Sequence, residues 1–497
     1  MEPMAHKTMH PAQEFGPCLR EILKEKKVSA SELARMMNYK SRNSIFRILC
    51  GKGGHGTRQA FCARLMREDP LSLDDKQRER LENALEISRV GVKAYLDNQA
   101  MRELLMNGKA HPAQGTVRVD AADYYPQDPD FNKAIENIDR AKKVYLTILG
   151  CCDRAIFDAL RDRICCVGAH CEVKIVHLLY TGPEEIVRNI AAIQPLLYCD
   201  FYNAYCMEPG IFSRERECVY RSNCIHAHVQ DEHGDWYDRR LMLIDKGVFV
   251  PMRRVAAVEH DPIKALFDQD LARTPPLKTR LGMGTAVGDY LAYTEGCRRL
   301  EQNRAVYTIK LDVPVSFVHP DILAACIRED LPQEAQAAAM ADLERIHRQR
   351  FENFMTKKKV NHTIFSREAM ERFARTGRQS DHFFALRSYT PGERVRILQN
   401  LRDQEKENPY FHVHFFTDGF EPPASEVALY EGVGTLMAKP YTDYDLSGEH
   451  AEAIIAQAEF CASYKEFFLH DLLERHVIGR EETLAVLDEL IEMAKSA

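Results

Sequence analysis

The sequence contains one tryptophan, no C-x-x-C pair and no apolar run approaching the roughly 20 residues that span a bilayer. Without such a run, no membrane-spanning helix is expected. The start, MEPMAHKTMHPAQEF, lacks the basic stretch and apolar core of a secretion signal, so the chain is expected in the cytoplasm. Its fifteen cysteines are odd in number and unevenly placed, nine of them between Cys151 and Cys224, which fits reduced thiols rather than a disulfide framework. Also missing are G-x-x-x-x-G-K-S/T, G-x-G-x-x-G after a strand, G-x-S-x-G and H-E-x-x-H. No catalytic residue, cofactor or metal is therefore assigned, and the chain is not expected to be an enzyme.

What is present is a folded composition, 45% hydrophobic and 28% charged over 497 residues. That length exceeds one ordinary core and points to two or three units. The formal net charge of −7 is unevenly spread: Glu14 to Glu68 holds twelve Lys/Arg against five Asp/Glu, leaving −14 for the remainder. A basic head on an acidic body suits a protein whose head meets phosphate.

Within that head, Val28 to Gly51 reads VSASELARMMNYKSRNSIFRILCG. Ser29 is placed to cap a helix with Leu33, Ala34 and Met37 on one face. A polar corner follows at Asn38-Tyr39-Lys40, and a second helix from about Ser41 is expected to bury Ile45, Ile48 and Leu49. Arg42, Asn43, Ser44 and Arg47 are left pointing outward. Arginine and asparagine can each make paired hydrogen bonds to base edges in the major groove, and serine can bond to base or phosphate. A helix is expected from Phe15 to Lys27, and another from near Arg58 burying Phe61, Cys62 and Leu65.

The spacing of Ser31-Glu32-Leu33-Ala34, the run S-R-N-S-I-F-R-I and the Gly51-Lys52 pair make Phe15 to Leu85 resemble the lambda-repressor-like, or xenobiotic-response-element, family of bacterial helix-turn-helix regulators. The resemblance implies that the start of the recognition helix reads DNA, which falls on Ser41, Arg42, Asn43 and Ser44, with Arg47 one turn on. It also implies phosphate contacts at Lys40 and Lys52. The sequence departs from the family in having Ala30 where a DNA-contacting glutamine is common, and Leu49-Cys50 in place of a polar pair.

From Leu71 to Met106 the pattern stays helical, with Ser72 as the expected cap, and residues 15–106 make up the expected helix-turn-helix domain with its connector helices. A Gly- and Pro-containing linker follows at 107–129, then an α/β sensor domain at 130–276 and an α+β domain at 277–497 that continues from it or stands apart. The expected fold is thus multidomain: an all-α helix-turn-helix head, then a mixed α/β body with a helical C-terminus. Asp130 to Arg140 reads as a helix, Lys143 to Leu149 as a buried strand, Ala155 to Cys166 as a helix and Glu172 to Leu179 as a second strand. Ile225 to Gln230 reads as a strand and Arg240 to Val250 as a hairpin; further strands are expected at Val306 to Leu311, His362 to Phe365 and Phe411 to Phe416. Two amphipathic helices, Glu449 to Arg475 and Arg480 to Lys495, close the chain, as core or as a dimer surface.

The order of strand, helix and strand before the histidine-bearing stretch His226-Ala227-His228 resembles a phospholipase D-like fold. That family's signature, His-x-Lys followed by Asp, is missing, so the resemblance implies an inactive copy. Cys218, Cys224, His226, His228 and His233 have ligand chemistry suited to zinc, but without a C-x-x-C pair core packing is the stronger explanation for most of the cysteines. His412 and His414 alternate on a strand, where a solvated sheet face is the common explanation and a metal or anion site the sharper one. Arg345, His347, Arg348, Arg350 and Lys357 to Lys359 form a second basic stretch, expected on a solvent-facing helix end.

The expected function is that of a sequence-specific, double-stranded-DNA-binding transcriptional regulator. Its C-terminal part would sense an unknown small-molecule or protein effector, and the chain would act as a homodimer. The alternatives are a DNA-associated enzyme acting on a nucleotide or phosphodiester, and a protein-interaction platform.

Overall fold

A computed structural model describes residues 14–39, 41–52, 54–105, 141–150, 154–167, 171–199, 201–207, 224–244, 248–252, 269–283, 287–311, 313–327, 329–330, 332–356, 358–379, 386–421, 423, 426–438 and 450–497. Lys40, the linker at 107–129, the helix expected over 130–140, Cys218 and Lys357 lie outside them. The fold is mixed α/β, with two sheets among the described residues and a helical C-terminus. It divides into two compact units, the described residues 14–100 and the described residues from 101 onward.

The first unit is built from α1 (Phe15–Glu25), α2 (Ala30–Met36), α3 (Arg42–Leu49), α4 (His55–Glu68) and α5 (Asp75–Val90); α6 (Val92–Leu105) follows a break at Gly91, whose φ is +85°, and its residues from Met101 onward belong to the second unit. Helices α1 to α5 turn apolar residues inward, so that Phe15, Leu19, Ile22, Leu33, Ile45, Ile48, Phe61, Leu65 and Leu81 share one core. Three helices end alike. After α1, α2 and α3, Lys27 (φ +56°), Asn38 (φ +53°) and Gly51 (φ +69°) take the left-handed conformation. The next residue's N–H then reaches back to a carbonyl five residues earlier, from Val28 to Leu23, Tyr39 to Ala34 and Lys52 to Arg47. These closures satisfy carbonyls that a helix end leaves unpaired and turn the chain sharply.

The N-terminus of α5 differs from expectation. Asp74, not Ser72, is the cap: its carboxylate accepts from the Gln77 N–H at 2.8 Å while the Gln77 side chain accepts from the Asp74 N–H. Gln77 also donates to Glu25 on α1, and Ser72 stands in the turn with its carbonyl accepting from Lys26.

In the second unit, β1 (Lys143–Leu149) takes the expected residues and alternates between half-buried and buried positions. Helical crossovers at Arg154–Val167 and Ile186–Leu197 lead to β2 (Glu172–Tyr180) and β3 (Tyr202–Met207), both added in parallel. The antiparallel strands β4 (Cys224–Gln230), β5 (Trp236–Ile244) and β6 (Val248–Met252) extend the other edge, giving the order β3-β2-β1-β4-β5-β6.

The second sheet comprises β7 (Lys278–Met283), β8 (Val306–Lys310), β9 (Asn361–Phe365), β10 (Phe411–Phe415), β11 (Val427–Tyr430), β12 (Gly434–Ala438) and β13 (His450–Ile455). Its order, β10-β9-β8-β11-β12-β13-β7, repeats the first sheet's path strand for strand from β8 to β13, with three parallel strands followed by an antiparallel meander; β7 is added at the end. Helices Pro391–Glu407 and Arg480–Ser496 pack Ile397, Leu398, Leu401, Leu487 and Leu490 into the same core as Phe411, Val413 and Phe415 of β10.

One expected helix does not exist as drawn. Residues 450–455 of the stretch Glu449 to Arg475 form β13, hydrogen-bonded between β12 and β7, and helix begins only at Ala458. Ile454, Ala458 and Cys461 stand at helical spacing by coincidence; the β-branched pair Ile454-Ile455 follows a strand pattern, with Ala453 and Ile455 buried.

Candidate nucleic-acid interface

The outward side of α3 is defined by how firmly its inward side is held. Upstream, Ser29 and Glu32 close a reciprocal cap on α2: the Glu32 N–H donates to Ser29 Oγ at 3.2 Å and the Ser29 N–H to Glu32 Oε2 at 2.8 Å. These bonds hold the Glu32 carboxyl below its ordinary pKa. Tyr39, just past the turn, lies 6.1 Å from the Phe61 ring, and the Arg64 guanidinium sits over the Tyr39 ring at 5.4 Å. The turn is thereby pinned to α4. Ser41 then caps α3, accepting from the Asn43 N–H at 3.2 Å.

Ile45, Ile48 and Leu49 are buried in the core of the first unit. Behind them α1 approaches so closely that a Cβ on Gly16 would lie 2.5 Å from the Leu49 carbonyl oxygen. That distance is below any tolerable contact, so only glycine admits this packing.

The residues singled out for DNA contact take three kinds of position. Arg42, Asn43, Arg47 and Lys52 are exposed. Among the described residues, neither Arg42 nor Arg47 makes an ion pair, whereas Arg64, Arg78 and Arg80 of the same unit are paired with Glu68, Asp69 and Glu21/Glu25. Ser44 is half-buried, and the Ser41 hydroxyl is engaged in capping. Lys40 lies outside the described residues. Phe46, absent from the expected contacts, is 47% exposed on the same side. Its position four residues after Arg42 and three after Asn43 was the available signal.

The other candidates sort differently. His226 and His228 share a face of β4, but His228 stacks on Trp236 at 4.2 Å and on Tyr145 at 6.4 Å. Among the described residues no group of three or more His, Cys, Asp or Glu side chains is arranged to hold a metal ion. His412 and His414 do not face open solvent. They stack on His362 of β9 at 4.6 and 5.4 Å, and the His362 Nδ1 to His414 Nε2 distance is 3.1 Å. Tyr307 of β8 stacks on His362 in turn. Burial pushes the His362 and His414 pKa values down to about 4 and about 3. His362 could be anticipated only by pairing two strands some fifty residues apart.

The second basic stretch divides: Arg345, Arg348, Lys358 and Lys359 are exposed, as expected, whereas His347 and Arg350 are buried. Arg350 is buried and donates to both oxygens of Glu301 at 2.7 and 2.9 Å, which overcomes the burial that would lower its pKa and holds it well above its ordinary value. His347 is buried 3.5 Å from Asp342, its pKa lowered by desolvation and by Arg350, while desolvation raises that of Asp342 to about 6. The buried Glu301 carboxylate is the physical reason Arg350 turns inward.

No family profile and no curated protein matches the chain. Among solved structures, phosphatidylserine synthase from Haemophilus influenzae Rd KW20 is similar at 15% identity, over 76% of this chain and 92% of that chain, with a TM-score of 0.24. A score that low carries no fold assignment. Among the described residues, no helix is long and apolar enough to cross a membrane.

Proposed function

We propose that this chain is a sequence-specific DNA-binding transcriptional regulator of the lambda-repressor-like kind. In this reading α2 and α3 form a helix-turn-helix, and the body senses an effector or mediates self-association. The observation that carries it is the outward side of α3: Arg42, Asn43 and Arg47 stand in solvent, without ion pairs among the described residues, on a helix whose other side is locked into the core. Arg42 and Asn43 read base edges, Arg47 and Lys52 contact phosphate, and Ser44 supplements them from the first turn. Ser41 contributes by capping the reading helix, leaving its hydroxyl little free capacity. The protein acts as a homodimer in the cytoplasm, because one such head covers a half-site and symmetric operators match symmetric dimers. It is a regulator and not an enzyme, and its effector is a small molecule or a protein.

Footprinting of the full chain on genomic fragments tests the reading. Protection of discrete sites that survives moderate salt is expected. Binding that is uniform along the fragments and vanishes with salt would reduce the head to a non-specific cationic surface.

A further inference from the structure

The outward side of α3 carries one residue that hydrogen bonding to DNA does not use. Phe46 is 47% exposed, while the core beneath α3 is complete without it, closed by Ile45, Ile48 and Leu49. A single exposed apolar residue is ordinary on a protein surface. Here its neighbours matter. At helical spacing Phe46 shares its side with Arg42 and Asn43 and is next to Arg47, two guanidinium groups and one amide that have no ion pair or side-chain partner among the described residues.

A second copy of the chain does not suit that surface. Docked on a twofold axis it would set the same arginines against each other, and no acidic residue of α3 is there to offset them. A polyanion offering an apolar spot does suit it. In the major groove the only apolar group on a base edge is the 5-methyl of thymine, and phenylalanine is one of the side chains that meets it.

Resting on the DNA-binding reading of α3, we infer that Phe46 determines specificity by packing on a thymine 5-methyl group beside the bases read by Arg42 and Asn43. The preferred site therefore contains a thymine whose recognition is apolar. Replacing that thymine by uracil keeps its pairing and every hydrogen-bonding group and removes only the methyl.

The test uses the full chain and a random-sequence duplex library. Enriched sites are resynthesised with each thymine in turn replaced by deoxyuridine, and affinities are measured for the wild type, Phe46→Ala and Phe46→Leu. One position in each half-site is expected at which uracil weakens wild-type binding about fourfold, the worth of one buried methyl. Phe46→Ala should bind the thymine and uracil forms of that position equally, and Phe46→Leu should still prefer thymine. Equal wild-type binding to both forms at every position overturns the inference, as does a thymine preference that survives in Phe46→Ala. Failure of the library to enrich any site overturns the DNA-binding reading itself, and this inference with it.

Discussion

Two arginine-bearing stretches, Arg42 to Arg47 and Arg345 to Arg350, look alike in sequence and part at one residue: Arg42, Arg47, Arg345 and Arg348 are exposed, whereas Arg350 is buried. In α3 the inward positions are aliphatic, so the guanidinium groups are left outside. In the later stretch Glu301 is buried where Arg350 arrives, and the pair closes on itself with two hydrogen bonds. Local charge therefore does not define an interaction surface; the polarity of what lies beneath the helix does.

Cutting the inward pair should give the largest effect. Arg350→Met strands the Glu301 carboxylate in the interior and is expected to cost about 3–5 kcal/mol in urea unfolding of the full chain, with site preference on DNA unchanged. Arg42→Met should do the reverse, leaving the unfolding midpoint in place and weakening binding to a selected site by about 1–3 kcal/mol.

Histidine extends the same contrast. Burial lowers His362 and His414 to about 4 and about 3 and His177 to about 3. Below pH 6.5 the unfolded chain binds protons that the folded chain excludes. The associated stability is complete above pH 6.5 and falls as the pH drops toward 4, with a slope of up to about 1.4 kcal/mol per pH unit for each histidine. Urea midpoints measured from pH 8 to 4 should fall over that window, and His414→Gln should flatten the fall.

A smaller loss is expected from Gly16→Ala, which pushes a methyl against the Leu49 carbonyl. It should destabilise the first unit by about 1–3 kcal/mol and, by shifting α3, weaken DNA binding although residue 16 faces away from it. An unchanged melting curve would mean that α1 and α3 do not hold each other. Smaller still, Arg47→Ala should reduce the dependence of log affinity on log salt by about one unit without changing the preferred sequence.

Much of this was legible in the chain because it is local. Ser29 and Glu32 stand at capping-box spacing, Asn38 and Gly51 are residue types that accept left-handed turns, and Lys143 to Leu149 alternates as a strand. Asp74 prevails over Ser72 through a reciprocal cap with Gln77, a local signal at capping-box spacing. Other failures needed a partner far away in sequence: Ile454 lies on a strand because β12 and β7 flank it. The three stacked histidines come from β9 and β10, which parallel pairing brings together. The repeated strand order of the two sheets is a property of pairing, invisible to motifs. Phe46 stands in neither the expected core of α3 nor its expected outward set, although helical spacing from Arg42 and Asn43 puts it on their side.

The most direct test of the account is affinity capture of genomic DNA by the full chain, beside an Arg42→Ala, Asn43→Ala variant whose melting curve matches the wild type. The account predicts that the wild type enriches a two-fold symmetric site and that the variant loses it while keeping weak, salt-sensitive binding. Recovery of the same DNA by both proteins would contradict it, because the outward side of α3 would then read nothing.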